Sequence, residues 1–412
     1  MKINIVFLAG FFLCSGSGAR ATEWAVFGPR AVGMGGASVA LADGPIGTYW
    51  NAASLALDKA AAGVELPVGA HMEIDGSVIQ GANDLNSVGN DCPNGPKCTQ
   101  ANINSALAEM NQPGNGARAD VGFGAMAKVK NLAVFVNNFI YVGAMPRVDM
   151  APADDTPAAI AAGNNNSKLV VRGISVTEIG VGYGHKVPFV PGLLAGANLK
   201  GLVGKVGYTE FQVFNKNAGT SNSLSHFLDG SKQSFQPAID LGLIWDGGRL
   251  EAPLPLSPRV GLSARDINGP RFDQPAQAKV GGEKNQFSLH GNVRAGASIS
   301  PFSFWHIAAD ADLTRNLTMI DGQVSRVLAL GTEIDVFNRS WINIPLRAGV
   351  SRNVAMTGSR AALSGGFGLH LFHVHFDVSG TATPASQSIQ NQGQSKKVPA
   401  SAGAAAEIAV LF

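Results

Sequence analysis

From Val64 the chain alternates apolar and polar side chains with a period of two. Val64, Leu66, Val68, Ala70, Met72 and Ile74 fall on one face, and Glu65, Pro67, Gly69, His71 and Glu73 on the other, which is the signature of a strand with one apolar side. Pro67 has no ladder donor and predicts an irregularity there. The same alternation returns at 121–129 and, after the two-residue turn Lys130-Asn131, at 132–142. It continues at 174–187, 194–206, 237–245, 257–266, 290–299, 304–313, 325–336, 341–352, 362–371, 373–380 and 402–412. About fourteen strands result, most of roughly the ten-residue length that crosses a bilayer when tilted.

The connections carry a second pattern. The first, third, fifth, seventh and thirteenth are long and polar, whereas the second, fourth, eighth, tenth and twelfth are short. The sixth, 246–256, is intermediate, and the ninth and eleventh are modest. Transmembrane barrels join strands by short periplasmic turns and long outer loops, a rhythm that a soluble sandwich has no reason to keep. The reading is therefore all-β: an antiparallel transmembrane barrel with both termini periplasmic. Trp245, Trp305 and Trp341 then fall at the periplasmic rim with Phe302, Phe372 and Phe412, as interfacial aromatics do. A last strand ending in Phe412 resembles the signal read by the outer-membrane barrel assembly machinery, which implies a Gram-negative envelope with outer-membrane lipid as surroundings.

Composition narrows this further. No run of about 18 apolar residues follows the N-terminus, so no membrane-spanning helix is expected; 51 glycines and 15% charged residues are unusual for a water-soluble domain. Met1-Lys2, an apolar run to Leu13 and Ala19-Arg20-Ala21 read as an export signal over 1–21. Those residues hold Lys2 and Arg20 and no acid, so the 31 basic residues fall to 29 against 29 acidic ones. With no basic excess, nucleic acid is not an expected partner. In an exported chain, Cys92 and Cys98, separated by turn formers, predict a local disulfide.

Between signal and first strand lies 22–57, rich in small residues and without alternation. Gly28-Pro29-Arg30-Ala31-Val32-Gly33-Met34-Gly35-Gly36-Ala37, Val39-Ala40-Leu41-Ala42-Asp43 and Tyr49-Trp50-Asn51-Ala52-Ala53 resemble the start of FadL-like outer-membrane proteins. Within that superfamily they are most similar to the barrel family labelled conjugal transfer protein TraF, with PorV-type proteins as more distant relatives. Pro258-Arg259-Val260-Gly261-Leu262-Ser263-Ala264-Arg265-Asp266-Ile267, Leu346-Arg347-Ala348-Gly349-Val350 and Leu363-Ser364-Gly365-Gly366-Phe367-Gly368 agree. The resemblance implies a fourteen-stranded barrel over 58–412, an N-terminal hatch over 22–57 inside its lumen, and passage of small hydrophobic molecules. It also leaves open a structural or accessory role beside envelope proteins, in a conjugation or secretion apparatus. The family pattern Asn-Pro-Ala is here Asn51-Ala52-Ala53, which removes a fixed φ from the hatch. The TraF label is shared with a thioredoxin-like protein, but this chain has no Cys-x-x-Cys, so redox chemistry is not implied.

Gly33, Gly35 and Gly36 read as close-packing positions of the hatch, not as a phosphate loop, since no Gly-Lys-Ser/Thr follows; Asp43 and Asn51 are its polar candidates. Arg259, Arg265, Arg294, Asp310, Asp312, Glu333, Asp335, Arg347 and Arg352 alternate toward a lumen, where charges must pair or be hydrated. His375 and Asp377 share a strand face with His373, near His370 across a turn; the opposite face, Val374, Phe376 and Val378, must meet lipid, so a polar lumen accounts for them without a metal. No cofactor is expected, and no Ser-His-Asp or paired-carboxylate motif stands out, which argues against an enzyme.

Overall fold

The alternating segments form β1 (Ala62–Asp75), β2 (Gly116–Val129), β3 (Leu132–Arg147), β4 (Lys168–Lys186), β5 (Leu193–Gln212), β6 (Gln233–Asp246) and β7 (Arg259–Arg265). They continue as β8 (Asn292–Phe302), β9 (Trp305–Asp312), β10 (Val327–Asp335), β11 (Pro345–Asn353), β12 (Ala362–Leu371), β13 (Val374–Ala382) and β14 (Ser401–Leu411). This computed structural model describes residues 20–57, 61–214, 227, 230–391 and 394–412; the export-signal reading rests almost wholly on residues outside them. Each strand pairs antiparallel with its chain neighbour, and β1 pairs with β14, Val64 opposite Val410, closing a fourteen-stranded barrel. Leu66 and Pro67 drop out of the β1–β2 ladder while the register continues from Glu65–Met126 to Val68–Phe123, as a residue without an N–H requires.

One face of the alternation points outward. Val64 is 45% exposed, Phe123 52%, Leu199 61% and Ile408 51%, whereas their chain neighbours Glu65 (4%) and Lys200 (5%) are buried in the lumen. An apolar exterior round a polar interior is what lipid demands of a barrel. Trp245, Trp305 and Trp341 lie at the short-turn end.

The long connections carry more structure than their polarity implies. After β1, α3 (Val78–Asp91) and α4 (Gln100–Met110) pair over Leu85, Val88, Ile103, Leu107 and Met110, and a Cys92–Cys98 disulfide closes the chain between them. Ile160, on α5 (Pro157–Ala162), and Phe214, just beyond β5, join that cluster, and Asn83 donates to the Ser388 carbonyl of the loop before β14. The helices thus tie the outer loops together.

The N-terminal segment occupies the lumen. It starts at the long-loop end, where 20–22 run parallel to 315–317 and the Thr22 N–H donates to the His290 carbonyl. It leaves at the short-turn end, where the Ala61 N–H meets the Phe412 carbonyl. Thr22 and Phe412 therefore lie at opposite ends of the barrel, where the sequence reading expects both termini on the periplasmic side. An extended entrance strand adds to the outer loops because its backbone finds partners there. Between these points lie two short helices, α1 (Pro29–Gly33) and α2 (Gly47–Trp50), and a 3₁₀ turn at Ala52–Ala56.

Candidate functional site

The inner segment meets the wall in two ways. One is steric. Gly184, Gly196 and Gly242 stand opposite one another across β4–β6, as do Gly261 and Gly296 across β7–β8 and Gly331 and Gly349 across β10–β11. A Cβ at Gly184 would lie 2.7 Å from the Ala56 nitrogen, and one at Gly261 2.9 Å from the Val39 carbonyl. These glycines let the segment's backbone lie directly on the sheet. Gly35, at φ +70°, does the converse, its missing Cβ leaving room for Val350 of β11. Gly33 rests against Arg347 and Gly366.

The other is polar. Asn51 donates through Nδ2 to the carbonyls of Val39, Leu243 and Leu262 (3.1, 3.1 and 3.3 Å), and its Oδ1 accepts from the Ala53 N–H (3.1 Å). The side chain thus caps the 3₁₀ turn that an Asn-Pro-Ala sequence would otherwise begin with a fixed φ. The Asp310 carboxylate accepts the N–H groups of Ser38 and Val39 at 2.8 and 2.9 Å. Arg294 lies between Asp310 and Asp312, 3.7 and 3.6 Å away, with its guanidinium over Trp24 and Trp50. Arg265 lies 4.0 Å over the Tyr49 ring and pairs with Glu178 at 2.9 Å. Fully buried Lys200 is held by Glu178, Asp240 and Asp266 at 2.9–3.3 Å. On this side, β4 to β9, the segment lies directly against the wall.

The opposite side, β10 through β14 to β1, is open. A polar mouth of about 340 Å³, between 112–115, 356–360 and the loop before β14, shares Glu73, Asn353, Arg360 and Ser401 with an outer cavity of about 120 Å³. That cavity is bounded by Trp24, Val26, Val32, His71, Arg118, Asp120, Tyr141 and Arg352. At the short-turn end an inner cavity of about 410 Å³ is lined by Arg30, Asp43, Trp50, Glu65, Glu333, Asp335, Arg347, His375, Asp377 and Glu407, among others. Helix α1 meets both: Pro29, Arg30 and Ala31 line the inner cavity and Val32 the outer, while Trp50 of the inner cavity stacks on Trp24 of the outer.

Helix α1 is latched from below. Arg30 pairs with Glu333 at 2.6 Å and Asp43 at 3.2 Å; Glu333 also takes Arg347 at 2.6 Å, Arg347 bonds Asp377, and Asp377 meets His370 at 3.0 Å. Burial alone would lower the Arg30 pKa, but Glu333 and Asp43 outweigh it and hold it above the usual arginine range, so the latch stays charged. His375 stacks on His370 at 3.9 Å between ring centres. Among the described residues no group has the makings of a metal site.

The sequence candidates divide accordingly. Glu333, Asp335, Arg347, His375 and Asp377 gather with Asp43 of the N-terminal segment round the inner cavity; Arg265, Arg294, Asp310 and Asp312 lie on the β4–β9 side. Arg259 pairs with Asp246 at 2.9 Å near the inner rim, and Arg352 is exposed at the outer cavity. His373 lies in the turn before β13, exposed and stacked on Phe412, and lines the same inner cavity as His375. Sequence reasoning missed Arg30, Lys200, Glu178 and Glu407 as site residues, although Lys200 and Glu407 sit beside the outward Leu199 and Ile408 and the alternation marks both as lumenal.

The profile of the family described as "F plasmid transfer operon, TraF, protein" matches residues 52–312, from the 3₁₀ turn to the end of β9. This chain belongs to that family. The TraF-family barrel also resembles solved structures: the CymD monoaromatic hydrocarbon channel (TM-score 0.53, 14% identity, 95% of this chain and 99% of that one) and the P. putida toluene transporter TodX (TM-score 0.51, 11% identity, 95% and 99%). At such identities the likeness shows a shared barrel fold. No curated protein matches the sequence.

Proposed function

We propose that this TraF-family barrel lies in an outer membrane and passes small, largely hydrophobic molecules through its lumen, with the N-terminal segment acting as a hatch. The observation that carries this reading is the pair of cavities that meet α1 from its two sides, Val32 facing the outer one and Pro29, Arg30 and Ala31 the inner one. A thin partition latched by ion pairs is where a passage would be controlled. The two solved channels, named for monoaromatic hydrocarbons and toluene, lend support by shared fold. Uptake into liposomes tests it: the chain lacking residues 22–57 is expected to admit small solutes far faster than the intact chain, and equal, negligible uptake by both would refute it.

A second reading, a structural part of an envelope machine, draws on the close contact of segment and wall along β4–β9 and on the helical cap that binds the outer loops together. It expects no uptake by either form, so the same experiment separates the two.

A further inference from the structure

We propose that the inner cavity recognises an organic ammonium group, so that the solutes admitted are small amphipathic cations; this rests on the reading of the barrel as a conduit. The cavity's lining is rich in carboxyl groups. Its two guanidinium groups, Arg30 and Arg347, are spent on Asp43, Glu333 and Asp377. Glu65, Asp335 and Glu407 line the same space beyond them. Glu65 accepts the Ile46 N–H, and Lys128 approaches from β2 while donating to the Leu57 carbonyl at 3.2 Å. Glu407 stands on the neighbouring strand opposite Pro67, two residues from Glu65. Its Oε2 is buried without a hydrogen-bond partner, and so is Asn343 Oδ1, on another wall of the cavity.

Buried acceptors without donors are costly, and a ligand that brings several N–H donors and a positive charge relieves that cost. An ammonium group carries three such donors. A bare metal ion fits less well, since no three ligands among the described residues are placed to hold one. The remaining lining suits an organic body: Trp50, Ile46, Pro345 and Leu411 are apolar or aromatic, and an indole face also attracts cations.

Calorimetric titration of the full chain in detergent with benzylammonium, benzyl alcohol and benzoate tests the assignment. Benzylammonium is expected to bind at least about tenfold more tightly than either analogue, as a charge-assisted contact requires, and Glu407→Gln to remove most of that preference. Heat-modifiable mobility checks that the variant is folded, and Asp335→Asn gives an independent second variant with the same expected direction. Equal affinity for the three probes, or a preference untouched by both substitutions, overturns the proposal. In liposomes, after subtraction of entry into protein-free vesicles, benzylammonium is expected to enter faster than benzenesulfonate. Entry of both at one rate overturns the ammonium assignment while leaving the conduit, whereas ammonium-selective binding without entry of either ion supports the site and overturns the conduit.

Discussion

Asn51 is where a single side chain does most to fix the inner segment. It bonds three carbonyls, two of them on β6 and β7, and caps the turn behind it. Asn51→Ala is expected to cost the inner segment about 2–3 kcal/mol, since each buried bond is worth about 1 kcal/mol, seen as faster amide exchange over 46–57 with the barrel strands unchanged. Lys200 is the matching case on the β4–β9 side. Lys200→Met leaves Glu178, Asp240 and Asp266 without their shared cation, and breaking a buried ionic group in this way costs about 3–5 kcal/mol; a lower unfolding temperature in detergent checks it. A wall glycine acts through space: Gly184→Val would drive a side chain into Ala56 and Leu55 and is expected to expose the hatch to protease at an unchanged barrel fold. These residues were unevenly legible. Asn51 and Asp43 stood in a family-like stretch, and Glu333, Arg347 and Asp377 in clean alternation. The glycines of β4 to β11 were not legible, because their use depends on what presses against them, and a strand pattern carries no record of that.

At the scale of elements, the fourteen strands were readable since lipid on one side and a polar lumen on the other impose a period of two that survives without any partner sequence. The helices α3 and α4 were readable in principle: Leu85, Val88 and Cys92, then Ile103, Ala106, Leu107 and Met110, recur at helical spacing. The cysteine-bearing, turn-rich stretch between them breaks that spacing and gives the whole connection the composition of a loop. Their disulfide closes a short segment, for which the chain-entropy argument gives about 2 kcal/mol. Cys92→Ser with Cys98→Ser is therefore expected to loosen the cap, with protease cutting near 92–98 while the barrel keeps its heat-modifiable mobility. The placement of the N-terminal strand beside 315–317 had no sequence signal, since three extended residues match any free edge.

For the whole molecule, the charged side chains sort into two halves with different work. Arg265 and Arg294 hold the inner segment to the wall through Tyr49, Trp24 and Trp50, and Lys200 ties Glu178, Asp240 and Asp266 together within the wall, whereas the Arg30–Glu333–Arg347–Asp377–His370 chain borders the inner cavity and pins α1. A passage, on this account, is controlled by one short helix and one guanidinium. The most direct measurement is conductance across a planar bilayer for the intact chain beside Arg30→Ala, which removes the ion pairs to Glu333 and Asp43 and leaves the β4–β9 side untouched. The intact chain is expected to stay closed for most of the record and Arg30→Ala to open often. Records that do not differ, with the variant as quiet as the intact chain, would contradict the claim that α1 is the barrier.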